Sequence, residues 1–229
     1  GVKAPDLSTK SLIPSPEILS KRYVSPSQTT NLDDTTVPIL TNVTTIINNS
    51  QENVKPFTED IKKATGLTPD VRVKEVDSLV GKVERYRLKG KSANEISDVL
   101  AGKIETTLKD VPTQIKNIKK NFDVKEVQDF FANPSPWGYK GVNIQVKLPN
   151  GTLAEIQIHT PESWANTKKI HSLYEKWRNK DTEKMSDSEM VEMIDDMEKS
   201  RAISESPQIS AKPKPDRGGV PQAQTEIQP

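Results

Sequence analysis

Arg72, Lys74, Ser78 and Lys82 fall within one short stretch, and Lys74, Ser78 and Lys82 recur at i, i+4 and i+8, a single line along a helix surface. Two ammonium groups, a guanidinium and a hydroxyl so arranged suit a triphosphate, gripped through charge-assisted hydrogen bonds. The same spacing also describes a solvated basic face, and no Walker-type glycine loop accompanies it. A second group of polar residues lies between Trp137 and Thr160, in WGYKGVNIQVKLPNGTLAEIQIHT. Val142, Ile144, Val146 and Leu148 alternate with Asn143, Gln145 and Lys147; beyond Asn150-Gly151, Ile156 and Ile158 alternate with Glu155, Gln157 and His159. Alternation with one apolar side predicts a half-buried β-hairpin. Its other side carries more hydrogen-bonding chemistry than solvation requires and reads as a site, with a plain surface hairpin as the alternative.

The pairing of the two faces sets the turn. A two-residue Asn150-Gly151 turn would set Val146 against Glu155 and mix apolar with polar residues on one face. A three-residue loop, Asn150 to Thr152, avoids this, with Gly151 at positive φ.

The elements expected around these groups are mostly helical. Thr58 should cap a short helix to Ala64 that Gly66 ends, and Thr68-Pro69-Asp70 signals a helix reaching Arg87 with Val73, Val76, Leu79, Val80, Val83 and Tyr86 on one stripe. Ser92 to Glu95 is a capping box before a short helix ending near Asp98. Residues 104–108 read as a strand, Pro112 to Lys120 as a helix, and 124–131 as a helical or turn segment. Thr160-Pro161 opens a helix bearing Trp164, Ile170, Leu173, Tyr174 and Trp177; a second capping box at Ser186 to Glu189 opens one bearing Met190, Val191, Ile194 and Met197. Amphipathic helices between alternating strands predict an α/β (α+β) fold with a mixed, partly antiparallel sheet of about five strands.

Composition divides the chain. Hydrophobic residues make up 32% of it and 17 residues are Pro, so a smaller domain with appendages is expected in place of one large core. Residues 1–56 are rich in Thr, Asn, Ser and Pro and read as a low-complexity extension. Residues 57–182 hold 22 basic and 17 acidic side chains, a mild excess that suits a polyphosphate or RNA ligand. Residues 183–229 hold 6 basic and 10 acidic, the Met-rich helix followed from 203 by a tail expected to be disordered. Both ends are expected to be dispensable for the core, with a protein partner admitted at the N-terminal extension or the 186–199 helix. The absence of cysteine excludes disulfides and thiolate chemistry. Two histidines, His159 and His171, are too few for a histidine-rich metal centre. No apolar run reaches the ~20 residues of a membrane span and no signal peptide is visible, which fits a cytoplasmic setting without a membrane. Because it opens on Gly1 and not Met, the chain reads as a piece of something larger.

In order along the chain come Arg72-x-Lys74-x-x-x-Ser78-x-x-x-Lys82, Asp98 to Ile104, Gly138-Tyr139-Lys140, Glu155-Ile-Gln157-Ile-His-Thr160, and His171-Ser-Leu-Tyr174-Glu-Lys-Trp-Arg178. This order resembles the synthetase domain of RelA/SpoT-type alarmone enzymes, above all the small single-domain and toxin versions, over roughly residues 57–180. The resemblance implies a nucleotidyltransferase-like core and a Mg²⁺-dependent transfer of pyrophosphate from ATP to a ribose 3′-hydroxyl. The acceptor would be a guanine or adenine nucleotide or a tRNA 3′ end. It implies that Arg72, Lys74, Ser78, Lys82 and Lys103 hold the ATP phosphates, that Asp98 binds the metal, and that Glu155 binds metal or activates the hydroxyl. Tyr139, Lys140, Asn143, Gln157 and His159 would take the acceptor.

Several positions depart from the family pattern. Lys103 stands where the family usually has Arg and Lys140 where it commonly does, Asn143 where it commonly has His and some toxin-like members have Asn, and His159 where Arg is frequent. Lys in place of Arg forfeits bidentate phosphate recognition. No hydrolase-type HD motif is present. Beside the two enzyme readings stands a third, a catalytically degenerate domain kept for binding or structure within a larger phage-like or secreted protein. His171 reads equally as a packed helix residue and as a catalytic one.

Overall fold

The computed structural model describes residues 36–178 and 180–205. Its first element, α1 (Thr36–Thr65), carries Val43, Ile47, Ser50, Val54, Phe57 and Ile61 at steps of three and four residues, and all but half-buried Val54 are buried. The helix ends where Gly66, at φ 73°, closes it with its N–H on the Lys62 carbonyl at 2.8 Å. The helix expected from Thr58 therefore begins far earlier, and the boundary drawn at residue 56 from composition falls inside it. Asn and Thr on its outward face hide the stripe from a composition count.

Five strands follow: β1 (Asp70–Val73), β2 (Leu100–Glu105), β3 (Asp123–Asp129), β4 (Val142–Lys147) and β5 (Leu153–His159). They form one sheet in the order β1-β2-β5-β4-β3, parallel only between β2 and β5. This is the mixed, partly antiparallel five-stranded sheet expected. Between β1 and β2 lies α2 (Val76–Leu88), and α3 (Val111–Asn121) precedes β3. The last helices are α4 (Pro161–Trp177) and α5 (Asp187–Glu205).

One sheet face is the core. Leu100, Ile104, Val142, Ile144, Val146, Ala154, Ile156 and Ile158 are buried there with Phe57 and Ile61 of α1 and Val111 and Ile118 of α3. Gly102 admits α1 at close range: a Cβ there would stand 2.5 Å from Ile61 Cδ1 and 3.2 Å from Phe57. The earlier half of α1, through Val43 and Ile47, joins Leu79 and Val83 of α2 with Ile96 and Val99 in a second cluster.

Several expected elements are corrected. The helix expected from Pro69 is β1 and then α2. Val71 and Val73 alternate with Arg72 and pair with Gly102 and Leu100, so the partner strand overrides a good local helix signal. The strand expected at 104–108 runs instead from Leu100 to Glu105, where Leu100, Gly102 and Ile104 share the core face. Residues 124–131, expected to be helical or turn, hold β3. A bulge between Val124 and Glu126 puts Val124 and Val127 on the core side three residues apart, a spacing that imitates a helix. The hairpin pairs Gln145 with Glu155 and Val146 with Ala154. Its three-residue loop is Pro149 to Gly151, one residue earlier than expected, closed by Leu148 N–H on Thr152 O at 2.8 Å with Gly151 at φ 88°. The tail beyond 205 lies outside the described residues.

Since Val43 and Ile47 close the second cluster, removal of this part of the chain should destabilise the fold. Ile47→Ala should lower the unfolding free energy by about 2–5 kcal/mol, read by urea denaturation; an unchanged midpoint would remove α1 from the core.

Candidate active site

The second sheet face is polar, and the strand register orders it in rows. Arg72 pairs with Ala101, Ala101 with Glu155, and Glu155 with Gln145. The next row is Asp70, Lys103, Gln157 and Asn143. Cross-strand partners point to the same side, so Arg72 and Glu155 flank the small Ala101.

Asp98 stands just before β2 and receives Lys82 Nζ at 2.7 Å and Lys74 Nζ at 3.2 Å. Burial works to raise its carboxyl, but Lys82 and then Lys74 outweigh it and hold it below the ordinary carboxylate range. Glu155 goes the other way. Burial raises it, the Asp98 charge adds to that, and the Gln157 amide (2.6 Å), Lys82 and Arg72 oppose without prevailing. Two carboxylates in one electrostatic neighbourhood are thus driven apart, one held ionised and the other made a better proton acceptor. Among the described residues no group of three or more His, Asp or Glu side chains gathers as a metal cage.

Beside them a cleft of about 510 Å³ runs between the start of α2, this sheet face and α4. Arg72, Lys74 and Ser78 line one end; Tyr139, Gln157 and His159 line the sheet side. His159 is fully buried, its Nε2 3.2 Å from the Tyr139 hydroxyl and its Nδ1 3.0 Å from Ser163 Oγ. The Tyr139 hydroxyl donates to Asn143 Oδ1 at 2.7 Å. Burial, with Lys103 second, pushes the imidazole from its ordinary 6.5 down to about 4, against a smaller opposing pull from Glu105 and a backbone hydrogen bond. Burial likewise raises the Tyr139 hydroxyl, and Glu155 adds to it. Gly141 admits the pair, since a Cβ there would stand 2.8 Å from His159 and 2.9 Å from the Tyr139 oxygen.

The fold therefore brings Arg72, Lys74, Ser78, Tyr139, Gln157 and His159 to one cleft. Lys82 and Asp98 reach it through Lys74, Glu155 through its neighbour Gln157, and Asn143 through Tyr139. Lys103 sits behind, ion-paired with Glu105 and 4.3 Å from the Trp164 ring centre. Lys140 is not brought in. Its Nζ lies 3.5 Å from the Ser204 carbonyl and lines a separate hollow against α5. His171 is not packed; it is exposed on the cleft wall, 3.8 Å from Glu175. Sequence reasoning assigned no site role to Trp164, Lys168, Glu175 or Arg178, which line the cleft with it. Their positions, 164, 168, 171, 175 and 178, are the three- and four-residue steps of one helix stripe, and that spacing was the available signal.

Residues 71–167, which contain the first part of α4 and all of this polar face but Asp70, match the family model for the region found in RelA / SpoT proteins. The fold is of the RelA/SpoT type. No curated protein sequence matches the chain. Among solved structures, the Type VI effector Tas1, in complex with its immunity protein, is 20% identical, covering 71% of this chain and 94% of its own at a TM-score of 0.51. Small alarmone synthetase 1 from Bacillus subtilis, bound to its product pppGpp, is 19% identical over 68% of this chain and 89% of its own, TM-score 0.49. A GTP pyrophosphokinase family protein from Streptococcus pneumoniae is 19% identical over 70% and 86%, TM-score 0.48. Among the described residues no helix is long and apolar enough to cross a membrane.

The buried imidazole makes a pH prediction. Between pH 6.5 and 4 an unfolded His159 binds a proton that the folded one refuses, so stability falls as pH falls through that window. The loss is on the order of 3 kcal/mol. Imidazole NMR should show His159 neutral down to about pH 4, and a His159→Gln variant should have the flatter stability profile; a midpoint near 6.5 would contradict the buried geometry.

Proposed function

We propose that this chain is a Mg²⁺-dependent pyrophosphokinase that transfers pyrophosphate from ATP to the ribose 3′-hydroxyl of a guanine or adenine nucleotide or of a tRNA 3′ end. The observation that carries the reading is the pair Asp98 and Glu155, shifted in opposite directions beside a cationic cleft. Phosphoryl-type transfer needs cations for the phosphates, carboxylates for the metal and a base for an aligned hydroxyl, with no covalent nucleophile.

Arg72, Lys74, Ser78 and Lys82 hold the ATP phosphates at the α2 end. Two carboxylates fit Mg²⁺, which takes one or two from a protein and completes its shell with phosphate oxygens and water; Asp98 and Glu155 would hold it, and it would neutralise charge developing on the phosphates. Glu155, oriented by Gln157, takes the proton of the acceptor hydroxyl as its oxygen bonds the β-phosphorus and AMP departs. Tyr139 offers the acceptor base a stacking surface, with Asn143 and His159 setting the ring. Lys103 acts on the phosphates only from behind Trp164. A second reading, a degenerate domain kept for binding, draws on Lys140 turned toward α5 and on Asp98 already paired with two lysines.

Incubating labelled ATP and magnesium with GDP, GTP, ATP or tRNA separately decides between them. Glu155→Gln should reduce transfer by roughly 10²–10⁴-fold while ATP affinity measured by calorimetry stays within a few-fold. Tyr139→Ala should weaken acceptor use by about 1–3 kcal/mol and leave the ATP requirement in place. A wild-type chain that binds no ATP and modifies none of the four acceptors would leave the degenerate reading.

A further inference from the structure

The helix α5 lies outside the region that matches the family, yet it grips the segment bearing Tyr139. The Ser200 hydroxyl donates to the Trp137 carbonyl at 2.5 Å and Arg201 Nε to the Pro136 carbonyl at 2.7 Å. Gly138 packs directly on the helix. It has φ 76°, and a Cβ there would stand 3.0 Å from both Arg201 Cα and Ser204 Oγ, so only glycine fits both the conformation and the gap.

The way α5 is buried says what it is for. Asp196, Ser200 and Ser204, at i, i+4 and i+8, are its buried residues, while Val191 and Ile194 are 59% and 47% exposed. A helix packed for hydrophobic stability would present the opposite faces. Asp196 anchors it to α4 by accepting Trp177 Nε1 at 2.9 Å and Lys176 Nζ at 2.8 Å. With that footing, Ser200 and Arg201 hold two successive carbonyls of the neighbouring turn. The turn is closed on itself: Gly138 N–H donates to the Ser135 carbonyl at 2.8 Å and Tyr139 N–H to Ser135 Oγ at 3.1 Å. A displacement of residues 136–137 therefore passes directly to the Tyr139 backbone. The helix so joins the α4 wall of the cleft to its Tyr139 side.

We propose that α5 is a strap that positions Tyr139, with Ser200 and Arg201 as positioning residues, so that the acceptor side of the cleft is completed from outside the family-matched region. The positioning stands on geometry alone; its consequence for acceptor binding rests on the function proposed above.

Ser200→Ala and Arg201→Ala test it, the second at an exposed side chain that the core does not need. Hydrogen exchange should quicken roughly five- to tenfold, the equivalent of one hydrogen bond, at the amides of Gly138 and Tyr139. Exchange at Leu79 and Ile156 should not change. With the best acceptor found, its KM should rise several-fold while the KM for ATP and the turnover at saturating acceptor hold. Unchanged exchange at 138–139, or a uniform rise that includes Leu79 and Ile156, overturns the strap. A selective rise in exchange in a chain that binds no nucleotide upholds the strap and overturns the proposed function.

Discussion

The parallel pairing of β2 with β5 is the constraint on which the site depends. It sets Ala101 beside Glu155, Lys103 beside Gln157 and Glu105 beside His159, while β1 adds Arg72 to the first row from the other side. Parallel neighbours cannot be joined by a tight turn. The connection from β2 to β5 is accordingly long, and α3, β3 and β4 are all built within it. Its apolar members fill the back of the sheet, which frees the opposite face for charged and amide side chains. A slip of one residue would turn Glu155, Gln157 and His159 into the core and expose Ile156 and Ile158; the hydrophobic cost of that exchange holds the polar row where it is.

Electrostatics then differentiates the carboxylates that the register brings near each other. Burial penalises both charges. Asp98 meets two ammonium groups and stays ionised, whereas Glu155 is met mainly by an amide and by more distant cations, and its proton affinity rises. Partly buried charges are costly to strip of a partner, so Lys74 and Lys82 are tied to Asp98 as firmly as it is to them. On the other side of the cleft the polar groups are neutral. His159, Tyr139, Asn143 and Ser163 satisfy one another in a chain of hydrogen bonds that needs no charge, consistent with an imidazole held unprotonated by its surroundings.

Two helices outside the family-matched residues complete the structure by opposite means. The N-terminal helix α1 inserts Phe57 and Ile61 over Gly102 and closes a second cluster with Val43 and Ile47; its contribution is apolar area. The C-terminal α5 buries a carboxylate and two serines and leaves Val191 and Ile194 exposed; its contribution is direction, since hydrogen bonds fix angles where hydrophobic contacts do not.

The sequence by itself determined the two-faced hairpin, the capped starts of α4 and α5 and the positively phased Gly151. Each of these is encoded by residues a few positions apart: alternation at period two, a Thr-Pro or Ser-x-x-Glu start, a glycine in a short loop. Family order also pointed to Asp98, Glu155 and Tyr139 as residues of one site. What only the tertiary structure decided was β1, the extent of β2, the bulged edge strand β3 and the reach of α1. Val71 and Val73 count as a strand only beside Leu100 and Gly102, and Val124 and Val127 only once the bulge is present. Lys140 turning to Ser204 was likewise beyond local reading. Which polar side chain meets which is set by contacts between residues tens of positions apart, and local propensity carries no term for them.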